Sequence, residues 1–321
     1  MKTLRQLAYG GVETLQWVER PLPAPAADEL RVRVHAVSIN AMDWRFMAGG
    51  ALSRLMTGVR RPRLGPGVDL AGVVDAVGES AGGWQEGDAV FGSARGALSE
   101  FVCAKAMRLA LKPGALSFVD AAALPVAGQT ALQALRDIAG VQAGQRVLVN
   151  GASGGVGAFT VQIATLLGAT VTGVCGPKNV GFVRALGAAT VVDYSTTDFT
   201  STVERYDAIV DLIGNHPLRE MRRLLLPGGV HIAAGFHAPG MQPLVQVVKV
   251  VAANAVHGER QTTFIAQQNV DDLAWLADRV SAGELSAPVG HVYPRDAAVD
   301  AMAAMATGHA RGKLVVTMRD E

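Results

Sequence analysis

Four glycines between residues 151 and 157 are the strongest chemical signal in this sequence. They stand at positions 151, 154, 155 and 157, after the apolar run 147–149 and at the start of a segment, 156–167, with helical spacing of apolar residues. Glycine permits a tight turn and a close approach of the backbone to a ligand. A helix N-terminus offers unpaired N–H groups and a positive dipole end to phosphate oxygens. The segment therefore predicts a phosphate-binding turn between a strand and a helix.

A second strand completes a βαβ unit around this turn. Gly168 ends the helix, and residues 169–175 have the composition of a buried strand. The spacing is Gly-x-x-Gly-x-x-Gly, but the strand, helix and strand context is that of a dinucleotide-binding fold. A glycine-rich loop without a ligand is the alternative, which so many glycines at a strand–helix junction disfavour. The predicted pyrophosphate-binding residues are Gly151, Ser153, Gly154, Gly155, Val156 and Gly157.

The residues after the second strand indicate which dinucleotide binds. NAD-specific sites place Asp or Glu at this strand end, where the acid bonds the ribose 2′-hydroxyl. Here residues 176–179 contain no acid, and the next one is Asp193. Gly176 offers a backbone N–H and Lys178 a positive charge to a 2′-phosphate, although a solvated surface lysine is the alternative. This pattern predicts NADPH as the cofactor.

The bulk composition limits the classes of partner. The chain has 321 residues, of which 50% are hydrophobic and 18% charged, with a net charge of +1. These values predict two domains with large cores and argue against nucleic acid or an anionic membrane surface as a partner. Residues 1–118 contain short β-type runs between Pro and Gly clusters, which predicts a barrel-like domain. The alternation of strands and helices begins at residue 146.

Neither a metal centre nor a targeting segment is expected. Cys103 and Cys175 are far apart and have no metal or disulfide spacing, which fits a reducing cytoplasm. Residues 1–10 lack an apolar stretch, and polar residues interrupt the apolar segment 244–256, so we expect no secretory signal and no membrane span. The seven histidines are scattered without ligand spacing. The sequence thus predicts a cytoplasmic protein.

Further motifs are spread along the whole chain, at residues 37–44, 67–74, 87–92, 146–157, 191–194 and 308–313. Together they resemble the zinc-independent quinone oxidoreductase-like branch of the medium-chain dehydrogenase/reductase superfamily. The resemblance implies an α/β protein with a GroES-like β-rich catalytic domain and an inserted Rossmann domain, a doubly wound parallel sheet that binds NADPH. We expect the catalytic domain over 1–118 and 286–321 and the NADPH-binding domain over 119–285. The resemblance also implies a homodimer, and the apolar segment 244–255 is a candidate for its interface.

The resemblance also shows where this chain departs from zinc-dependent members. Those enzymes have Cys where this chain has Asn40, and Gly-His-Glu where it has Gly67-Val68-Asp69. Catalytic zinc needs three Cys, His or carboxylate ligands, and Val68 cannot be one. We therefore expect no metal. Without a Lewis acid, the family resemblance favours acceptors that take hydride readily, such as quinones and enones.

Several residues are assigned to the nicotinamide end of the site. Asn40 is expected to bond the carboxamide or the substrate oxygen, with a turn-forming role as the alternative. Asp43 is either a proton relay or a structural carboxylate, and Thr130 either lies near the nicotinamide or caps a helix. No Tyr occurs between residues 46 and 63, so the proton donor is unassigned and water is a candidate. The other expected cofactor contacts are Ile213, Gly214, Gly235, Phe236 and Lys313, of which Lys313 could instead simply flank the last strand. By the family resemblance, Tyr194 is expected to reach the 2′-phosphate, with packing on the sheet edge as the alternative.

The leading hypothesis is an NADPH-dependent reductase of small-molecule quinones or enones. An enoyl-thioester reductase is the second, for which the arginines at 54, 60, 61 and 63 form either a basic cleft mouth or a solvated loop. A non-catalytic NADPH-binding structural or regulatory protein is the third, because fold does not imply function.

Overall fold

The computed structural model describes residues 1–50, 54–55, 58–59, 62, 65–234 and 260–319. The strands are β1 (Lys2–Gln6), β2 (Leu15–Glu19), β3 (Glu29–Ile39), β4 (Asp69–Val77), β5 (Ala89–Ser93), β6 (Phe101–Lys105), β7 (Leu109–Leu111), β8 (Arg146–Asn150), β9 (Thr170–Cys175), β10 (Thr190–Asp193), β11 (Tyr206–Asp211), β12 (Leu225–Ala233), β13 (Arg260–Thr262), β14 (Val289–Pro294) and β15 (Lys313–Thr317).

The helices are α1 (Ala41–Ala48), α2 (Phe118–Ala123), α3 (Pro125–Gln133), α4 (Gly155–Leu166), α5 (Val180–Ala185), α6 (Leu218–Arg223), α7 (Val270–Ser281) and α8 (Ala298–Ala306). A π-helical turn, Ala134–Ala139, continues α3. In the described ranges no helix has the length and apolarity that a membrane crossing requires.

The chain divides into two compact units. The first is Met1–Gln129 with Gln268–Glu321, and the second is Thr130–Gln267. Helix α2 packs on β3 and β4, and α7 contacts β7, so both helices belong to the first unit. The domain limits expected from the sequence, after residues 118 and 285, stay a prediction.

The first unit is built on a mostly antiparallel sheet with the order β14-β15-β3-β4-β5-β7, in which β6 also pairs with β3. β14 and β15 are parallel to each other. Leu30, Val32 and Val34 on β3 are fully buried, whereas Arg31 and Arg33 between them are not. This alternation is the period of two expected for a strand with one face on the core. From Ala36 onward every residue of β3 is buried, so the strand ends deep in the unit.

The second unit is a parallel sheet with the order β10-β9-β8-β11-β12-β13. This is the 3-2-1-4-5-6 order of a doubly wound fold. Val147, Leu148 and Val149 of β8 have no exposed surface, because a central parallel strand is covered on both faces. The predicted doubly wound sheet is therefore present.

Gly128 lies inside α3 and does not interrupt it. A Cβ atom at this position would lie 2.7 Å from Cδ1 of Leu276 on α7. Glycine is thus used here for close packing between two helices rather than as a helix breaker.

The glycines of the turn have separate roles in the fold. Gly151 has φ +90°, a left-handed conformation that favours glycine. A Cβ atom on Gly157 would lie 2.1 Å from the carbonyl oxygen of Gly151, so Gly157 permits close packing of α4 on the turn. Gly154 precedes α4 in an extended conformation, and a Cβ atom there would have its nearest described neighbour at 3.6 Å. Gly154 is therefore a glycine that the fold itself does not require.

We expect Gly157→Ala to destabilise the second unit, because its methyl group would collide with a backbone oxygen. Overpacking of this kind costs about 1–3 kcal/mol or more. Urea unfolding should show this loss as a lower midpoint. Gly154→Ala is the matched control and should lower the free energy of unfolding by less than about 1 kcal/mol. Equal losses in the two variants would contradict the packing role of Gly157.

Candidate active site

Three strand ends bring polar side chains together in the first unit. Asn40 follows β3, Asp69 begins β4 and Lys313 begins β15. Strand β3 pairs with both β4 and β15, and its register sets Ser38 opposite Asp69 and Ile39 opposite Leu314. Residues opposite each other on paired strands lie about 5 Å apart. The register therefore fixes the three side chains at one end of the sheet.

These three side chains, the buried triad, form a closed set of contacts. Lys313 Nζ donates to Asn40 Oδ1 at 2.6 Å, and Asn40 Nδ2 donates to Asp69 Oδ2 at 2.9 Å. Lys313 Nζ lies 3.4 Å from the same Asp69 oxygen. The exposed fractions are 8% for Asn40, 0% for Asp69 and 2% for Lys313. The second oxygen of Asp69 accepts the N–H of Val126 at 3.2 Å.

The opposite charges of Asp69 and Lys313 partly offset the free-energy cost of burying each of them. Burial raises the pKa of Asp69, which the charge of Lys313 and the hydrogen bond from Asn40 oppose. Burial likewise lowers the pKa of Lys313, which the charges of Asp69 and Asp43 oppose. Removing one partner of such a pair leaves an uncompensated buried charge and costs about 3–5 kcal/mol.

Asp43 lies in the first turn of α1, beside the triad. Its Oδ2 accepts the N–H of Asn40 at 2.8 Å, and its Oδ1 accepts the N–H of Gly67 at 3.0 Å. Both carboxylate oxygens of Asp43 thus accept backbone N–H groups, which favours the structural role over the proton relay. Burial raises the pKa of Asp43 to about 6, with a further contribution from the charge of Asp69, while the two N–H groups and Lys313 oppose the shift.

Asp69 is the one residue of the triad that was not predicted as a site residue. Asp69 stands in a recognised motif, yet a single acid before an apolar run gives no sign of its partner. Lys313 was expected to reach the cofactor, and its ammonium group faces Asn40 and Asp69; a cofactor contact stays a prediction. Thr130 lies inside α3, so its alternative role as a helix N-cap is wrong.

Two of the predicted 2′-phosphate residues, Gly176 and Tyr194, lie together in the second unit. A Cβ atom on Gly176 would lie 3.0 Å from the hydroxyl of Tyr194, so this hydroxyl lies directly over the glycine. Asn179 Nδ2 donates to Ser153 Oγ at 3.2 Å, which links this turn to the glycine turn. Lys178, which precedes Asn179 in the chain, is exposed, and in the described part of the chain it has no ion-pair partner. Asn179 was not among the predicted site residues, and its hydrogen bond to Ser153 places it beside the glycine turn.

The loop after β11 is held by a buried carboxylate. Asp211 Oδ1 accepts the N–H groups of Ile213 at 3.1 Å and Gly214 at 2.9 Å, and Nδ2 of Asn150 at 2.9 Å. Burial raises the pKa of Asp211, but His231, whose Nε2 lies 3.7 Å from Oδ2, and the hydrogen bonds from these N–H groups outweigh it and hold the pKa below its usual value. Ile213 and Gly214 thus have engaged N–H groups, and their contact with the cofactor stays a prediction. Gly235 and Phe236 lie outside the described residues.

The donor set of the triad does not suit zinc. It contains an amide, one carboxylate and an ammonium group that repels a metal cation. Across the described ranges there is no group of three or more His, Cys, Asp or Glu side chains that could hold a metal ion.

Asp43 makes stability depend on pH. Its pKa is raised from 3.8 to about 6 in the folded chain, so the folded chain binds more protons than the unfolded chain between about pH 4 and 6. The free energy of unfolding should therefore rise as the pH falls through this window, by at most about 3 kcal/mol, and this gain should be lost above pH 6. Urea unfolding of the parent and of Asp43→Asn checks this. The stability advantage of the parent should be larger at pH 4 than at pH 7, and a constant difference would contradict the buried carboxyl group as its source.

Comparisons with known proteins match these features along most of the chain. Residues 26–114 match the family model of the alcohol dehydrogenase GroES-like domain, and residues 186–316 match that of zinc-binding dehydrogenases. The chain is 32% identical to a chloroplast envelope quinone oxidoreductase homolog of Arabidopsis thaliana over 98% of both chains. It is 32% identical to the trans-enoyl reductase pgmF of Aspergillus terreus over 92% of this chain and 89% of that protein.

Solved structures agree in fold. The quinone oxidoreductase from Coxiella burnetii has a TM-score of 0.90 and 30% identity over 99% of both chains. Mycobacterial Rv1454c, solved as a complex with NADPH, has a TM-score of 0.85 and 25% identity over 99% of both chains. The expected fold class, with its GroES-like and Rossmann parts, is confirmed. The chain therefore belongs to the medium-chain dehydrogenase/reductase superfamily, in its quinone oxidoreductase-like branch.

Proposed function

We propose that this chain is a zinc-independent reductase that transfers hydride from NADPH to a quinone or an α,β-unsaturated carbonyl compound. The buried triad carries this proposal, because it places the amide of Asn40, which stands where zinc-dependent relatives have a Cys, 2.6 Å from the ammonium group of Lys313. An acceptor that needs no Lewis acid suits such a site. The relatives named quinone oxidoreductase support the same chemistry.

The second unit has the groups that NADPH requires. The cofactor, when bound, supplies the hydride from its nicotinamide. Gly154 leaves space beside the turn, and the first-turn N–H groups of α4 are suited to the pyrophosphate. Lys178 and Tyr194 are suited to the 2′-phosphate, which an acid at this strand end would repel. The NADPH complex of Rv1454c supports this choice of cofactor.

Asn40 is the residue of the first unit that we assign to the reacting groups. Asp43 accepts a hydrogen bond from the backbone N–H of Asn40. The side chain of Asn40 is hydrogen-bonded to Lys313 and Asp69, so its carboxamide has a single orientation. Thr130 is proposed to lie near the nicotinamide. Water is the proposed proton donor, because the tyrosine that many family members carry after the 40–44 segment is absent from residues 46–63.

An enoyl-thioester reductase is the second candidate, and the similarity to a trans-enoyl reductase favours it. Of the four arginines expected at its cleft mouth, Arg54 is held locally. Its Nε donates to the carbonyl oxygen of Gly49 at 2.8 Å, and its guanidinium lies 4.6 Å from the ring centre of Tyr9. The other three lie outside the described residues. This pairing of Arg54 gives no support to a carrier-binding role.

A homodimer in the cytoplasm remains part of the proposal. The apolar segment 244–255 that we suggest as interface lies outside the described residues. The absence of disulfide spacing between Cys103 and Cys175 supports a reducing compartment.

A screen of NADPH oxidation tests the proposed function. We expect turnover with 1,4-benzoquinone, 9,10-phenanthrenequinone or small enones, slow or no turnover with a crotonyl thioester, and full activity in chelator. Elemental analysis should find no stoichiometric zinc. A preference for the thioester would favour the second candidate, no turnover at all would favour a non-catalytic protein, and one essential zinc per chain would refute the zinc-independent mechanism.

Lys178→Ala tests the choice of cofactor. A charge-assisted hydrogen bond is worth about 1.5–3 kcal/mol, so NADPH should bind about 10- to 150-fold more weakly and NADH almost unchanged. Dissociation constants for both cofactors, at one ionic strength, measure this difference. Arg184→Ala, which removes an exposed positive charge from α5, is the matched control and should change neither constant by more than about twofold. Equal weakening of both cofactors by Lys178→Ala would place the 2′-phosphate elsewhere.

A further inference from the structure

We propose that Lys313 and Asp69 are positioning residues that polarise the carboxamide of Asn40 toward the substrate oxygen. The substrate class is then a carbonyl compound whose oxygen becomes negative during reduction. This inference rests on the proposed function, which places Asn40 at the reacting groups.

The hydrogen bonds of the amide define its orientation. A carboxamide has one acceptor oxygen and two N–H donors. The oxygen of Asn40 faces the ammonium of Lys313 at 2.6 Å, and one N–H faces the carboxylate of Asp69 at 2.9 Å. A flipped amide would turn its NH2 group toward the ammonium and its oxygen toward the carboxylate, so the two charges exclude that orientation. The second N–H has no acceptor in the described part of the chain, and it is the one available to a ligand.

The same two charges polarise the amide in one direction. A cation at the oxygen and an anion at the nitrogen both favour the resonance form with a negative oxygen and a positive nitrogen. Charge-assisted hydrogen bonds are about twice as strong as neutral ones, and linked hydrogen bonds strengthen one another. Because the triad is almost fully buried, water does not screen this effect. The second N–H of Asn40 is therefore a stronger donor than an ordinary amide.

The chemistry of enone reduction uses such a donor. Hydride adds with its electron pair to the β-carbon, the carbon–carbon π bond breaks, and the negative charge moves to the carbonyl oxygen as an enolate. Water then delivers a proton to the α-carbon. A fixed donor that faces the oxygen as it becomes negative stabilises the transition state more than the ground state. The triad thus supplies, through neutral Asn40, part of what a metal cation would supply.

The test must separate polarisation from simple structural support. Lys313→Met alone leaves Asp69 as an uncompensated buried charge and is expected to destabilise the fold. Lys313→Met combined with Asp69→Asn removes both charges with side chains of similar size. If the triad were only structural, this double variant would recover both thermal stability and activity. If polarisation matters, stability recovers and catalysis does not.

We expect the double variant to have a kcat for an enone about 10- to 100-fold below the parent, less than the 10²–10³ lost when an oxyanion donor itself is removed. The KM for NADPH should change less than the kcat for the enone, because the triad acts on the acceptor through Asn40. A second readout needs no turnover. Bound 4-nitrophenolate, followed by its absorbance in the presence of NADP⁺, mimics the enolate oxygen, and its affinity should fall about 10-fold in the double variant.

Lys112→Met is the matched control. Lys112 Nζ donates to the carbonyl oxygens of Pro113 and Leu116, so its loss removes lysine hydrogen bonds of the same unit outside the triad. Its kcat and its phenolate affinity should equal those of the parent. If the methionine double variant does not fold, Lys313→Gln with Asp69→Asn keeps a neutral donor at Asn40 Oδ1 and should show the same kcat loss.

Two results would overturn the inference. One is a folded double variant with the kcat and phenolate affinity of the parent, and the other is a lower kcat with unchanged phenolate affinity. A parent that reduces no acceptor would instead refute the proposed function, and the phenolate measurement would still report whether the triad strengthens a donor.

Discussion

The first unit depends on the burial of one ammonium group. Lys313 is 2% exposed, and a buried cation is stable only with compensating partners. Its partners Asn40 and Asp69 come from two other strands, and Asn40 is 273 residues away in sequence. The register of β3 with β4 and β15 brings the three together. The C-terminal strand must therefore return to the N-terminal sheet before the charge can be buried, which ties the fold of this unit to the integrity of the triad.

The elements of the fold were largely predictable where one physical signal dominates. The apolar run 147–149 and the helical spacing of 156–167 correspond to β8 and α4 within one or two residues. The strands β7 and β13 were not predicted, because three residues are too few for a clear period. Helix α1 was also missed, since its buried residues are Asp43 and Met47, and a buried acid gives no apolar pattern. Tertiary contacts, which the local sequence does not contain, stabilise that helix.

The candidate site was predictable by residue but not by contact. Asn40 and Lys313 were selected from motifs, yet their hydrogen bond follows from strand register, which the sequence alone did not give. The same holds for Asp69, whose partner is on another strand. For Asp43 two roles remained open until both of its oxygens were seen to accept backbone N–H groups. A motif thus identifies residue types, and pairing geometry decides how they act.

The two units stabilise a buried carboxylate at a strand end in opposite ways. Asp69 is paired with an ammonium group, and burial still raises its pKa, so this carboxylate and its cation depend on each other. Asp211 accepts hydrogen bonds from the amide of Asn150 and from the backbone N–H groups of Ile213 and Gly214. Its pKa falls below the usual value with His231 Nε2 3.7 Å away and with no Lys or Arg among its partners in the described residues. In the second unit amide and backbone donors thus bind one oxygen of the buried acid. Lys178 stays unpaired within the described residues as an exposed positive charge. An exposed cation suits a phosphate that arrives from water, whereas a buried, compensated cation can act only through the neutral group that it touches. The position of each lysine therefore determines whether its charge binds a ligand directly or polarises a neighbouring residue.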